Sequence, residues 1–172
     1  MENHSLILAS TSEIRRKLAS KFDSSIKFYS PTADEDALKK TLQGMEPAQL
    51  CYELAKAKSL SINHEFPNHL VLGCDQICLL ENKIFSKPRT VDRAIHQLKE
   101  LSGKTHYLIG QYVFSKDNSV IHEVEIICTM KMRELSLSEI QNYVNLDQPF
   151  TACGLISMKK MVISFLVRSK EV

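Results

Sequence analysis

Two arginines stand where a helix is expected to begin, in the stretch Ser10-Thr11-Ser12-Glu13-Ile14-Arg15-Arg16. A helix N-terminus is partly positive, so an exposed cation in its first turn costs roughly 0.3–1 kcal/mol, and a docked anion reverses the sign. Backbone N–H groups, the hydroxyls of Ser10 and Ser12 and the guanidinium forks of Arg15 and Arg16 can converge on a phosphate. Each hydrogen bond to a charged group contributes about 1.5–3 kcal/mol, so two or three offset the dipole cost. The alternative reading is a solvated helix face on which Arg16 pairs with a distant carboxylate.

A second group is acidic. Asp75 directly follows the apolar run Val71-Leu72-Gly73-Cys74, where a carboxylate without a partner is expensive to bury. It needs a cation, a metal or a water to act on. Glu35, inside Asp34-Glu35-Asp36, is a candidate to share a divalent ion with it, since hard cations take carboxylate and phosphate oxygens together. The competing reading makes Asp75 a turn cap and the acidic cluster a solvated loop. Lys58 and Lys87 are isolated cations that can reach into a cleft as point charges, although residue type alone places both on the surface.

These residues need elements to position them. Ser5–Ala9 reads as a buried strand, followed by the hydroxyl turn and a helix carrying Ile14, Leu18 and Phe22 at spacing four. Ile26–Ser30 reads as a short strand ended by Pro31. Pro47 opens a helix whose stripe Leu50, Leu54 and Ala57 turns Lys56 and Lys58 toward other faces. His69–Leu80 is an apolar run broken by Gly73, Asp75 and Gln76, and Ser86-Lys87-Pro88 is a loop. Thr90 caps a helix carrying Ala94, Ile95, Leu98 and Leu101, with Gly103 just past its end. Tyr107–Phe114 and Val120–Met132 flank Lys116-Asp117-Asn118-Ser119 as a hairpin, and Ser136 with Glu139 forms a capping box. Met161–Val167 is a last apolar run. Strands alternating with helices, plus a hairpin, predict an α/β fold with a mixed sheet, whose ligands sit at the carboxyl ends of the strands.

Composition bounds the rest. A chain of 172 residues with 44% hydrophobic and 24% charged residues builds a real core, and a net charge of +2 is too small for nucleic-acid binding by bulk charge. No apolar run is long enough to cross a bilayer, and Leu6–Ala9 is too short for a secretory signal core. Cys51, Cys74, Cys78, Cys128 and Cys153 are odd in number and lack C-x-x-C spacing, which predicts free thiols in a reducing cytoplasm, with Cys74 and Cys78 as small buried hydrophobes. No repeat or linker divides the chain, so a single domain over residues 1–172 is expected.

Taken in order, LILASTS-x-x-RR, ADE at 33–35, LAKAK at 54–58, LGCDQ at 72–76, SKP at 86–88 and LSGKTH at 101–106 resemble the Maf family of nucleotide pyrophosphatases. The likeness continues more weakly through LSEIQNYV at 137–144 and ACG at 152–154. It implies a two-lobed, inosine-triphosphatase-like α/β fold, a twisted mixed sheet with flanking helices and a central cleft. It also implies metal-dependent cleavage of a nucleoside triphosphate between its α and β phosphates. By the same resemblance Ser10, Arg15 and Arg16 hold phosphates, beside the Ser12 of the helix-start reading, Glu35 and Asp75 organise Mg2+ or Mn2+, Lys58 and Lys87 neutralise the tail, and Asp75 is the proton acceptor. Asp75-Gln76 resembles the branch that prefers 7-methyl-GTP, in which Gln76, Ile14 and Ser157 fall at substrate-recognition positions.

The departures lie at Glu13, where the family usually has proline, at Ile14, where that branch often has an aromatic, and at the C-terminus, where no Gly-Leu-Pro or closing helix follows the last strand. The resemblance therefore implies a shortened C-terminal element, a face that a homodimer could cover, and as an alternative function a shortened homologue that binds nucleotides with weak catalysis. A role in septum formation rests on the family's history alone.

Overall fold

The computed structural model of the chain describes residues 6–148 and 166–167. In chain order these form β1 (Leu6–Ala9), α1 (Glu13–Phe22), β2 (Lys27–Tyr29), α2 (Glu35–Thr41), α3 (Pro47–Asn63), β3 (Leu70–Leu80), β4 (Lys83–Phe85), α4 (Val91–Leu101), β5 (Thr105–Lys116), β6 (Ser119–Met132), α5 (Leu137–Asp147) and β7 (Leu166–Val167). The strands make one sheet in the order β2-β1-β3-β5-β6-β7, with β4 added to β3. β1 runs parallel to β2 and β3, while β4 on β3 and β7 on β6 are antiparallel, so the sheet is mixed as its sequence pattern predicts.

The chain divides into two compact units, Met1–Asp75 with Gly110–Ile126, and Gln76–Ile109 with Ile127–Val172. In the first unit β1 alternates its side chains between two apolar clusters, as a two-faced strand must. Ile7 and Ala9 pack with Ile62 and Val71, whereas Leu8 packs with Ile26 and Cys74. In the second unit one larger cluster joins Cys78, Leu80 and Phe85 to Leu98 and Leu101 of α4 and to Ile140, Tyr143 and Val144 of α5. The buried places of Cys74 and Cys78 agree with small core thiols, and Cys51 is buried likewise.

The helix ends follow their sequence signals. Thr90 accepts from the Arg93 N–H, and Gly103 stands past α4 at φ 72°, a conformation that favours glycine. Ser136 and Glu139 exchange both hydrogen bonds of the capping box. Asp117 and Asn118 form the two-residue hairpin turn at φ 52° and 59°, the positive pair that matches strand twist.

Three expectations are corrected. Ile14, Leu18 and Phe22 do lie on one helix, but all three are exposed; the inward side of α1 carries Arg15, Arg16 and Ala19. The acidic cluster is not a free loop, because Asp34 caps α2 by accepting from the Ala37 N–H and Glu35 begins that helix. The buried side of α3 is Cys51, Leu54, Ala55, Lys58, Ser59 and Ile62 rather than the stripe through Leu50 and Ala57. Gly73 explains that choice. A Cβ there would collide with the Ala55 carbonyl oxygen and the Ser59 backbone nitrogen, so α3 lies against β3 backbone to backbone through its small residues. β4 is an additional strand, joined to β3 through Glu81 at φ 55°.

Candidate active site

The carboxyl end of β1 delivers Ser10 and the start of α1. Ser12 caps the helix, accepting from the Arg15 N–H at 3.5 Å, and the buried Ser10 hydroxyl accepts from the Ser12 N–H at 3.1 Å. Arg15 reaches across to β3 and donates from Nη1 to the Cys74 carbonyl at 2.9 Å. Arg16 folds back, donating from Nε to the Ser10 carbonyl at 2.7 Å and from Nη2 to Ser30 Oγ at 3.4 Å, with its guanidinium 5.9 Å from the Phe28 ring centroid. A guanidinium has five N–H donors, so these contacts fix both arginines and leave donors free for an anion. The alternative of Arg16 pairing with a distant carboxylate is replaced by these carbonyl and hydroxyl contacts.

The second half of the site is built around Lys58. Although residue type suggested a surface cation, Lys58 is 6% exposed and its ammonium lies 2.5 Å from Asp75 Oδ1 and 3.1 Å from Glu35 Oε1. The close approach at Gly73 brings α3 near enough to β3 for a lysine stem to reach the end of the strand. Burial works against the ammonium, but the charges and hydrogen bonds of Asp75 and then Glu35 outweigh it, and the Lys58 pKa is raised. Glu35 also has Lys39 at 3.6 Å on its exposed side.

Asp75 and Glu35, paired in sequence only by conjecture, thus meet at one ammonium. Two carboxylates meet at one buried ammonium, with Lys39 on the outer side of Glu35, and their hard oxygens are of the kind that suits a divalent ion completed by phosphate and water ligands. Among the described residues no group of three or more His, Cys, Asp or Glu forms a closed metal cage. Burial pushes the Cys74 thiol up against the pull of Arg15 and Lys58, in keeping with a buried core thiol.

Gln76 follows Asp75 on β3 and so faces the opposite side of the sheet; it belongs to the second unit. Lys87, exposed on the loop after β4, belongs to that unit too. Ile14 is 49% exposed on α1, and Ser157 lies outside the described residues. Sequence reading missed two positioning residues. Ser30 steadies Arg16, and Gly73 carried the only visible signal, an isolated glycine in an apolar strand.

The sequence model of the Maf-like protein family matches residues 5–171. The chain belongs to the Maf family. This Maf protein is 37% identical over 153 residues to a 7-methyl-GTP pyrophosphatase of Aliivibrio fischeri, spanning 87% of this chain and 76% of the relative. It is 33% identical to a protein of the same name from Pseudomonas aeruginosa, over 96% of this chain and 84% of that one. A nucleoside triphosphate pyrophosphatase of Legionella pneumophila is 29% identical, over 90% and 77%. Among solved structures the Ham1 protein of Staphylococcus aureus shares the fold with a TM-score of 0.50 at 10% identity, covering 74% of this Maf chain and 71% of its own. No helix among the described residues of the Maf protein is long and apolar enough to cross a membrane.

Proposed function

We propose that this Maf-family protein hydrolyses a nucleoside triphosphate to the monophosphate and pyrophosphate, with 7-methyl-GTP as its preferred substrate. The observation that carries the reading is the buried Lys58 ammonium held by Asp75 and Glu35 in the unit that also contains the Ser10–Arg16 turn. Relatives bearing pyrophosphatase names support the reaction, and those named for 7-methyl-GTP support the base.

In this reading the N-terminus of α1 and the spare N–H donors of Arg15 and Arg16 hold the phosphate chain, and Lys58 offsets its charge. Glu35 and Asp75 would hold a divalent ion, Mg2+ or Mn2+, which when bound would supply charge neutralisation and polarise the phosphoryl oxygens. Asp75 takes a proton from water as the water oxygen bonds to the α phosphorus. The bond from that phosphorus to the α–β bridging oxygen breaks, and pyrophosphate leaves with the electron pair. Lys87 and Gln76 enter by sequence resemblance alone.

Incubation of the purified chain with a panel of nucleoside triphosphates and Mg2+ or Mn2+ tests this. Pyrophosphate release is expected, fastest from 7-methyl-GTP. A folded chain that turns over none of the panel overturns the reaction, and equal rates across the panel overturn the base preference.

A further inference from the structure

Lys58 reaches from α3 to the end of β3 and puts its ammonium where two acids converge, 2.5 Å from Asp75 Oδ1 and 3.1 Å from Glu35 Oε1. An ammonium donates and never accepts, so both contacts are charge-assisted bonds to hard oxygens. The acids are unequal. The Asp75 side chain is 14% exposed, whereas that of Glu35 is 39% exposed and also faces Lys39 at 3.6 Å. Lys58 itself is buried, and α3 is set against β3 at Gly73, so the backbone that carries the lysine is fixed while its head can turn on a flexible four-carbon stem.

A hard divalent cation seeks the same oxygens. Mg2+ and Mn2+ suit carboxylate and water ligands, and Mg2+ is held by one or two carboxylates with substrate phosphates and water completing its shell. Among the described residues no third acid, histidine or cysteine joins Glu35 and Asp75. The donor set therefore fits an ion shared with phosphate rather than one enclosed by protein. In the free chain, however, both acids already face a positive charge. An ion arriving at Asp75 Oδ1 and Glu35 Oε1 meets the ammonium at close quarters in a site partly shielded from water, where like charges repel strongly. A triphosphate changes that balance, because its oxygens accept from a lysine as carboxylates do. The turn that carries Arg15 and Arg16 belongs to the same unit and holds further N–H donors.

We propose that Lys58 is a built-in placeholder for the divalent ion: its ammonium holds Glu35 and Asp75 together in the free chain and releases them when phosphate oxygens draw it away, so that ion and triphosphate bind as a coupled pair. The inference rests on the pyrophosphatase reading for the phosphate that draws the ammonium. It gives Lys58 a second task beside offsetting the charge of the phosphate chain, that of keeping a bare ion off the two acids until a substrate is present. Coupling of this kind is reciprocal, so each ligand tightens the binding of the other by the same factor.

Binding of Mn2+ in the absence of nucleotide tests this apart from turnover, with free Mn2+ counted by electron paramagnetic resonance. The wild-type chain is expected to bind Mn2+ weakly, and Lys58→Met, which keeps a stem and removes the charge, to bind it at least about tenfold more tightly. Lys58→Arg, which keeps the charge, is expected to stay as weak as the wild type, and adding Asp75→Asn to Lys58→Met is expected to abolish the gain. A non-hydrolysable triphosphate with a methylene between its α and β phosphorus atoms is expected to tighten Mn2+ binding in the wild type more than in Lys58→Met. Thermal melts read the exchange a second way, because Mn2+ is expected to raise the melting temperature of Lys58→Met more than that of the wild type. The inference is overturned if Lys58→Met binds Mn2+ no more tightly than the wild type, if Lys58→Arg gains as much as Lys58→Met, if the gain survives Asp75→Asn, or if the analogue tightens Mn2+ binding equally in both chains. A Lys58→Met chain that is unfolded alone and stays unfolded in Mn2+ overturns it too, since the ion then does not take the place of the ammonium. If Lys58→Met gains Mn2+ while the wild type hydrolyses no triphosphate, the reaction falls and the placeholder stands; pyrophosphate release by the wild type with no such gain removes the placeholder and leaves the reaction.

Discussion

The two compact units bury different things. In the first, Ser10, Lys58, Ser59, Asn63, Gln111 and Ser115 are all buried, and the apolar residues are split into two small clusters on either side of β1. In the second, one apolar cluster joins β3, β4, α4 and α5, and His106 is the sole buried polar side chain among the described residues. Buried polar groups must be matched with partners or they cost stability, and in the first unit they are matched. Ser59 Oγ donates to the Val71 carbonyl at 2.9 Å and meets Ser115 Oγ at 2.6 Å, while the Asn63 amide holds the Phe66, Pro67 and His69 carbonyls and accepts from the Asn118 N–H. The first unit gives up apolar burial to hold charges in place; the second supplies apolar packing around α4 and α5.

The comparison breaks first at Asp75. Asp75→Asn is expected to lower the pyrophosphatase rate by about 10²–10⁴-fold, the range for a positioned general base. The amide keeps an acceptor for Lys58, so circular dichroism and melting should change little. A variant that retains the wild-type rate would remove Asp75 from the chemistry and leave the first unit's buried charges a matter of structure.

Lys58→Met strikes the same unit through stability. It leaves Asp75, 14% exposed at the side chain, without its cation, and removing one partner of a buried pair costs roughly 3–5 kcal/mol. Denaturant titration should show that loss together with loss of turnover. In the second unit, Leu98→Ala opens a cavity in the α4–α5 core, at a cost of about 2–5 kcal/mol. Here the rate per folded molecule should be unchanged. If Leu98→Ala alters turnover as strongly as it alters stability, the division of labour between the units fails.

How much of this was legible in the sequence follows the same divide. In the second unit both described helices were read, because α4 carries an apolar stripe with a cap at each end and α5 opens on a capping box, all local signals, while the C-terminal segment lies largely outside the described residues. β4 was the exception, a three-residue strand that follows a turn with Glu81 at positive φ. In the first unit the strands and the start of α1 were read, but not which helix face turns inward. On α1 the apolar stripe lost to Arg15, Arg16 and Ala19. On α3 the stripe through Leu50 lost to the small residues that Gly73 admits. Both outcomes depend on partners distant in sequence, which periodicity does not contain. Ser10, Arg15, Glu35 and Asp75 could be singled out as candidates from residue type and order, whereas the placement of Lys58 between the two acids required the fold.

The smallest expected effect lies at the opening of α5, in the second unit. Glu139 accepts from Arg133 Nη2 at 2.6 Å and from the Ser136 N–H at 2.8 Å, and these bonds hold its carboxyl down at about 2 against an ordinary 4.5. The folded pKa is below the unfolded one, so the stabilisation is complete above pH 4.5 and is lost as pH falls from there through about 2. Glu139→Gln should flatten that part of the acid unfolding curve followed by helical circular dichroism, and change little near neutral pH beyond the loss of the ion pair. Because the carboxyl is exposed, added salt should weaken its interaction with Arg133 while leaving the backbone bond of the capping box. A Glu139→Gln curve that keeps the wild-type slope between pH 4.5 and 2 would place the acid sensitivity elsewhere, in the carboxylates of the first unit.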